Sequence, residues 1–212
     1  MRVRGEFIVL VMILQPEEIE RESMRIIQEA IGDFPCHPEN LPVIKRVIHA
    51  TADFDFLHTL TFTPNAVNLA RKALAVNTPV ITDALMLASG ITKRYGTKII
   101  CHVSDESVKK ESLSRKITRS VINIEHCVRD YPSAVYAIGN APTALIRLCE
   151  LIRDGKASPA LVIGVPVGFV NVIEAKEMLA SLTSTPSIIA HGRKGGTTVA
   201  CAIVNAILYG LG

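Results

Sequence analysis

The sequence predicts an α/β domain spanning residues 1–212, with three layers (α/β/α), a mainly parallel five-stranded sheet and a helical N-terminal region. Two observations carry that expectation. Short apolar runs at Pro79–Ile81, Lys98–Val103, Ala134–Ile138, Ala160–Val165 and Ser187–Ala190 each give way, through a turn, to a longer amphipathic stretch. Strands that alternate with helices pair in parallel and cover both sheet faces with those helices. The second observation is size: 212 residues, 49% hydrophobic and 20% charged, fit one domain with a substantial core. Five such strands suggest a doubly wound, flavodoxin-like sheet, in which ligands bind beyond the carboxyl ends of the strands.

Taken in order, the chain opens with an eight-residue apolar run, Phe7–Leu14, behind Arg2 and Arg4. A secretory leader and a buried strand both fit it, but Gln15-Pro16-Glu17-Glu18 follows with no small-residue cleavage site. Pro16 then begins a helix with Ile19, Ile26, Ile27 and Ile31 at helical spacing, ended by Gly32. Further helices are expected at Glu39–Ala50 and from Thr63-Pro64 to Ala75, the latter with Thr63 as N-cap. The helical stretches that follow the five strands are Asp83–Ser89, Lys109–Arg129, Thr143–Arg153, Asn171–Leu182 and Thr197–Leu208.

Composition excludes several classes of function. A net charge of +3, from 23 Lys+Arg against 20 Asp+Glu, is too mild for a nucleic-acid binder. Aromatic residues make up 5% and Trp is absent, so material for stacking bases is scarce. No run approaches the roughly 20 apolar residues of a membrane span. The five cysteines are scattered without a Cys-x-x-Cys pair, as expected of buried thiols in a reducing cytoplasm, and no metal-ligand spacing appears.

Four segments could carry chemistry. Gly192-Arg193-Lys194-Gly195-Gly196-Thr197 stands between a strand and a helix, where free N–H groups and two cations would hold a phosphate or carboxylate. It lacks the spacing of a P-loop, and a solvated turn is the alternative. Gly164-Val165-Pro166-Val167-Gly168-Phe169-Val170-Asn171 suits close backbone approach to a flat ligand, or a tight packing turn. His49, between an apolar stripe and Thr51/Asp53, is a candidate general acid or a packed histidine. Arg119, in Ile117-Thr118-Arg119-Ser120, could meet a carboxylate bidentately, whereas Lys109, Lys110, Arg115 and Lys116 read as a solvated face. These residues imply an anion-holding end and one candidate acid, but no particular reaction.

At these segments the sequence resembles the precorrin-8X methylmutase family of corrin biosynthesis, cobalt-precorrin-8 members included. The words that match are Lys45–Asp55, Ile117–Ser120, Gly139-Asn140-Ala141-Pro142-Thr143-Ala144-Leu145, Gly164–Val170 and Gly192–Gly196. The resemblance implies a cofactor-free and metal-free isomerase that moves a methyl group from C11 to C12 of a tetrapyrrole rimmed with acetate and propionate groups. It implies His49 as the catalytic acid, and Ser23, Arg119, Ser120, Gly168, Arg193, Lys194 and Gly195 as substrate-binding residues. It also implies a homodimer with the site near the subunit interface, without nucleic-acid or membrane partners. One departure stands out: the family's Thr-Asp-Thr-x-Met is Thr82-Asp83-Ala84-Leu85-Met86 here, which removes a hydroxyl at position 84. Two other functions fit the bare residues, namely an enzyme acting on a phosphorylated small molecule and a non-catalytic corrinoid-binding protein.

Overall fold

A computed structural model describes residues 15–211, so the Phe7–Leu14 run lies outside the described residues. Two compact units are distinguished, Met1–Phe34 and Pro35–Gly212. In the first, α1 (Pro16–Ile31) forms where the sequence places it. The Glu18 side chain accepts from the Gln15 N–H (3.1 Å), Pro16 takes the first turn, and Gly32 ends the helix at φ 55°.

In the second unit, α2 (Leu41–Thr51), α3 (Phe56–Thr59), β1 (Leu60–Phe62), α4 (Ala66–Ala75), β2 (Val80–Thr82) and α5 (Leu85–Gly90) come first. They are followed by β3 (Ile99–Ile100), α6 (Glu106–Arg115), α7 (Arg119–Asp130), β4 (Val135–Ile138), α8 (Pro142–Arg153), β5 (Leu161–Gly164), α9 (Val172–Ala180), β6 (Ser187–Ala190) and α10 (Thr197–Tyr209). The sheet runs β1-β6-β5-β4-β2-β3. The five expected strands are all present and parallel, and among themselves they take the flavodoxin-like order 2-1-3-4-5. Every residue of β2, β4, β5 and β6 is buried, as continuous apolar runs covered on both faces require. Helices α2, α4 and α5 gather around α10, while α7, α8 and α9 pack side by side.

Three expectations are corrected. The sheet has six strands rather than five, because β1 pairs antiparallel with β6, Leu60 opposite Ala190 and Phe62 opposite Ile188. Three residues are too few to show strand alternation in a sequence. Thr63 does not cap a helix; its hydroxyl accepts from the Ser187 N–H (2.8 Å), which extends that pairing, and α4 starts at Ala66 instead. The stretch Lys109–Arg129 is two helices, not one. Lys116 turns left-handed (φ 53°) at the end of α6, and Thr118 restarts the chain as the N-cap of α7.

Candidate functional site at the carboxyl ends of the strands

The strand order reverses between β2 and β4, which opens a crevice at their carboxyl ends. Asp83 fills that position. Its carboxylate, 1% exposed, accepts three backbone N–H bonds, from Gly139 (3.0 Å), Asn140 (2.8 Å) and Ala141 (2.5 Å), at the mouth of α8. Burial pushes the carboxyl up from the usual carboxylate range, and the three donors pull it the other way. Buried Asn123 of α7 braces the neighbouring strand ends, donating to the Thr82 carbonyl (3.0 Å) and accepting from the His102 N–H (2.6 Å).

On the far side, the loops after β5 and β6 are joined. Gly196 donates to the Val165 carbonyl (2.8 Å) and Gly168 to the Arg193 carbonyl (3.3 Å). Gly195, at φ 154°, lies so close to the Val165 carbonyl that a Cβ would collide with it. The Lys194 ammonium leaves this loop to meet Asp53 and Asp55, each at 2.6 Å. That pairing holds the Asp53 carboxyl below the usual range and raises Lys194. It ties the loop to the segment just beyond α2, the helix that carries His49. His191 is fixed at the sheet edge by Thr61, whose hydroxyl lies 2.8 Å from Nε2.

His49 is half-buried near the C-terminus of α2. Thr51 and Asp53 do not engage it: the Thr51 hydroxyl donates to the Val47 carbonyl (2.8 Å), and Asp53 is taken by Lys194 and the Asp55 N–H. Among the described residues the imidazole has no hydrogen-bond partner, which leaves it available to a ligand. The exposed side chains of Arg119 and Arg193 are likewise unpaired among the described residues. Arg119 is the first residue of α7, where a cation opposes the helix dipole. That placement is locally unfavourable and suits a residue held ready for an anion. The Thr118 and Thr143 hydroxyls, 3.2 Å apart, bring the N-termini of α7 and α8 together. Leu85 and Met86 after β2, and Val167, Phe169 and Val170 after β5, are exposed apolar side chains, Phe169 at 88%.

Residues 18–210 match the family model of Precorrin-8X methylmutase. The chain belongs to the precorrin-8X methylmutase family. It is 40% identical over 198 residues to a cobalt-precorrin-8 methylmutase of Priestia megaterium, covering 92% of this chain and 88% of the relative. A cobalt-precorrin-8 methylmutase of Salmonella typhimurium is 40% identical over 209 residues, covering 94% of this chain and 97% of the relative. The crystal structure of a precorrin-8x methyl mutase from Thermus thermophilus superposes with a TM-score of 0.84 at 36% identity, covering 91% of this chain and 95% of that one.

The residues singled out in this methylmutase-family sequence are distributed as follows. Arg119, Ser120, Gly168, Arg193, Lys194 and Gly195 all stand in loops or helix starts at the carboxyl end of the sheet. Ser23 is on α1, where its hydroxyl donates to the Ile19 carbonyl (2.7 Å). Lys194 and Gly195 have structural partners of their own within the site. Sequence reasoning missed Asp83 as an anchor, and it missed Lys176, a buried residue of α9 whose ammonium donates to the carbonyls of Gly192 (2.8 Å) and Lys194 (2.7 Å). Flanked by Glu174 and Glu177 in Val-Ile-Glu-Ala-Lys-Glu-Met-Leu-Ala, Lys176 gave no sequence signal of its burial. A separate cavity of about 440 Å³ between α7 and α8 is basic, but its Arg115, Arg129, Arg147 and Lys156 already pair with Glu125, Asp130, Glu150 or Asp154. Among the described residues no group of His, Cys, Asp or Glu is arranged to hold a metal ion, and no helix is long and apolar enough to cross a membrane.

Proposed function

We propose that this chain is an isomerase of corrin biosynthesis that moves a methyl group from C11 to C12 of precorrin-8 or its cobalt-bearing form, giving hydrogenobyrinate or cobyrinate. The observation that carries the reading is family membership over residues 18–210. The unpaired imidazole of His49 and unpaired guanidinium groups of Arg119 and Arg193 support it. In this reading Arg119 and Arg193 meet carboxylates on the substrate rim. Ser120 adds a hydroxyl contact, while the Gly168 and Gly195 backbones approach the ring. The exposed Val167, Phe169 and Met86 offer an apolar surface to its flat face.

His49 acts as the acid. Its proton moves to the conjugated ring, which becomes electron-poor beside the migrating carbon. The bond from C11 to the methyl group breaks as the bond from C12 to that methyl forms, and the proton then returns to the imidazole. Atoms and charge balance without an external reagent. The protein works in the cytoplasm as a homodimer in which the second subunit closes over the ring. Lys194, paired with Asp53 and Asp55, shapes the loop and lends it charge rather than gripping the substrate alone. The phosphate-ester alternative has no support from the relatives.

Incubation of purified protein with precorrin-8 and with cobalt-precorrin-8 tests the reading. Conversion to the C12-methylated product is expected with at least one of the two. Binding without conversion of either would leave a carrier protein instead.

A further inference from the structure

We propose that Lys176 is a positioning residue, whose buried ammonium clamps the Gly192–Gly196 loop from beneath and thereby fixes Arg193 where a substrate carboxylate reaches it. The inference rests on the proposed function for the identity of the anion, though not for the clamp itself. Lys176 is 1% exposed, and its two acceptors are the carbonyls of Gly192 and Lys194, one residue either side of Arg193. Drawing both carbonyls inward leaves the Arg193 side chain outward and exposed.

The charge is the unusual part. A buried ammonium is ordinarily matched by a carboxylate, because taking a charge out of water is costly. Among the described residues no carboxylate pairs with Lys176. The titratable and charged groups on its own helix, on the loop it holds and on α8, which packs against α9, are Glu174 and Glu177, both exposed; His191, Arg193 and Lys194; and Arg147, Cys149, Glu150 and Arg153. His191 is bonded to Thr61, Lys194 to Asp53 and Asp55, and Arg153 to Ser181. A fixed positive charge under a loop that also carries Arg193 suits a polycarboxylate, whose arrival supplies the missing counter-charge. Burial lowers the Lys176 ammonium to about 8. Above that pH, two charge-assisted bonds become weaker neutral ones and the charge under the loop disappears.

The test compares the wild-type protein with Lys176→Met and Lys176→Arg, using amide hydrogen exchange across the loop and steady-state kinetics. In the wild type, the protection factor of the Gly196 N–H is expected to fall as pH rises through about 8, whereas in Lys176→Met it is low at every pH. With the tetrapyrrole, Lys176→Met should raise KM about tenfold, the worth of one charge-assisted bond, and leave kcat within about twofold. Lys176→Arg should recover part of that affinity. A Met variant with normal Gly196 protection and normal KM would overturn the clamp. A collapse of kcat at unchanged KM would also overturn it, by placing Lys176 in the chemistry. Amide exchange needs no substrate, so it decides the clamp even if neither form of precorrin-8 is converted, and Lys176→Gln, which keeps a donor but no charge, replaces the Met variant should that fail to fold.

Discussion

His49 owes its position to its neighbours rather than to bonds of its own. Val43, Ile44, Val47 and Ile48 anchor α2, and the Lys194 clamp holds the segment that follows, while the imidazole itself stays unpaired among the described residues. His49→Ala should therefore fold with an unchanged Tm and still bind the corrinoid. Its turnover should fall by the roughly 10²–10⁴-fold that a general acid contributes. Near-normal turnover in a single-turnover assay would remove His49 from the mechanism. Arg119 and Arg193 predict a salt effect, because charge-assisted contacts to carboxylates are screened. Corrinoid Kd should rise with ionic strength, and Arg193→Ala should flatten the slope; a salt-insensitive wild type would contradict the assignment. Arg119 and Arg193 stand out in the sequence beside Thr118 and Gly192, and His49 stands out as a titratable residue in an apolar helical stretch; their roles are those proposed above. Lys176 does not stand out, since a lysine in a helix reads as solvent-facing until the fold shows what lies over it. Lys194 was legible only in part: its charge was evident, but its partners Asp53 and Asp55 are some 140 residues away in the chain.

Helices and strands were legible wherever apolar runs had clear ends. The parallel strands and α1, α8, α9 and α10 lie within a few residues of where periodicity puts them. The failures have physical causes. A three-residue edge strand has no alternation to read, and the break between α6 and α7 depends on one left-handed lysine that no propensity would place there. Asp83 shows how a single side chain joins elements: from the end of β2 it caps the start of α8 through three N–H bonds. Asp83→Asn turns one acceptor oxygen into a donor facing N–H groups that are already donors. The loss of such a buried network is worth about 2–4 kcal/mol. In a domain of this size that corresponds to a Tm lower by roughly 5–15 °C, readable by circular dichroism. A Tm within about 1 °C of wild type would show that the cap is dispensable.

For the molecule as a whole, the exposed Met86, Val167, Phe169 and Val170 form too little apolar surface to enclose a tetrapyrrole, so a second subunit is expected to complete the cover. Substrate and product differ in the place of one methyl group, so most binding energy is common to both and product release should limit turnover. A pre-steady-state burst near one product per site is expected, with activity declining on dilution as dimers part. A linear time course from the first turnover, or a monomer fully active at high dilution, would defeat this. The placing of α2 has one more consequence. This helix packs against α10, and the neighbouring β1 pairs with β6, so both partners of the early segment come from the last quarter of the chain. During synthesis the apolar stripe of α2 must wait uncovered until nearly all of the polypeptide has emerged. A ribosome that stops before Thr197 leaves a chain whose sheet can largely pair but whose His49 helix has nothing to dock on. Such a chain leaves Val43, Ile44, Val47 and Ile48 uncovered and is expected to aggregate where the full chain does not.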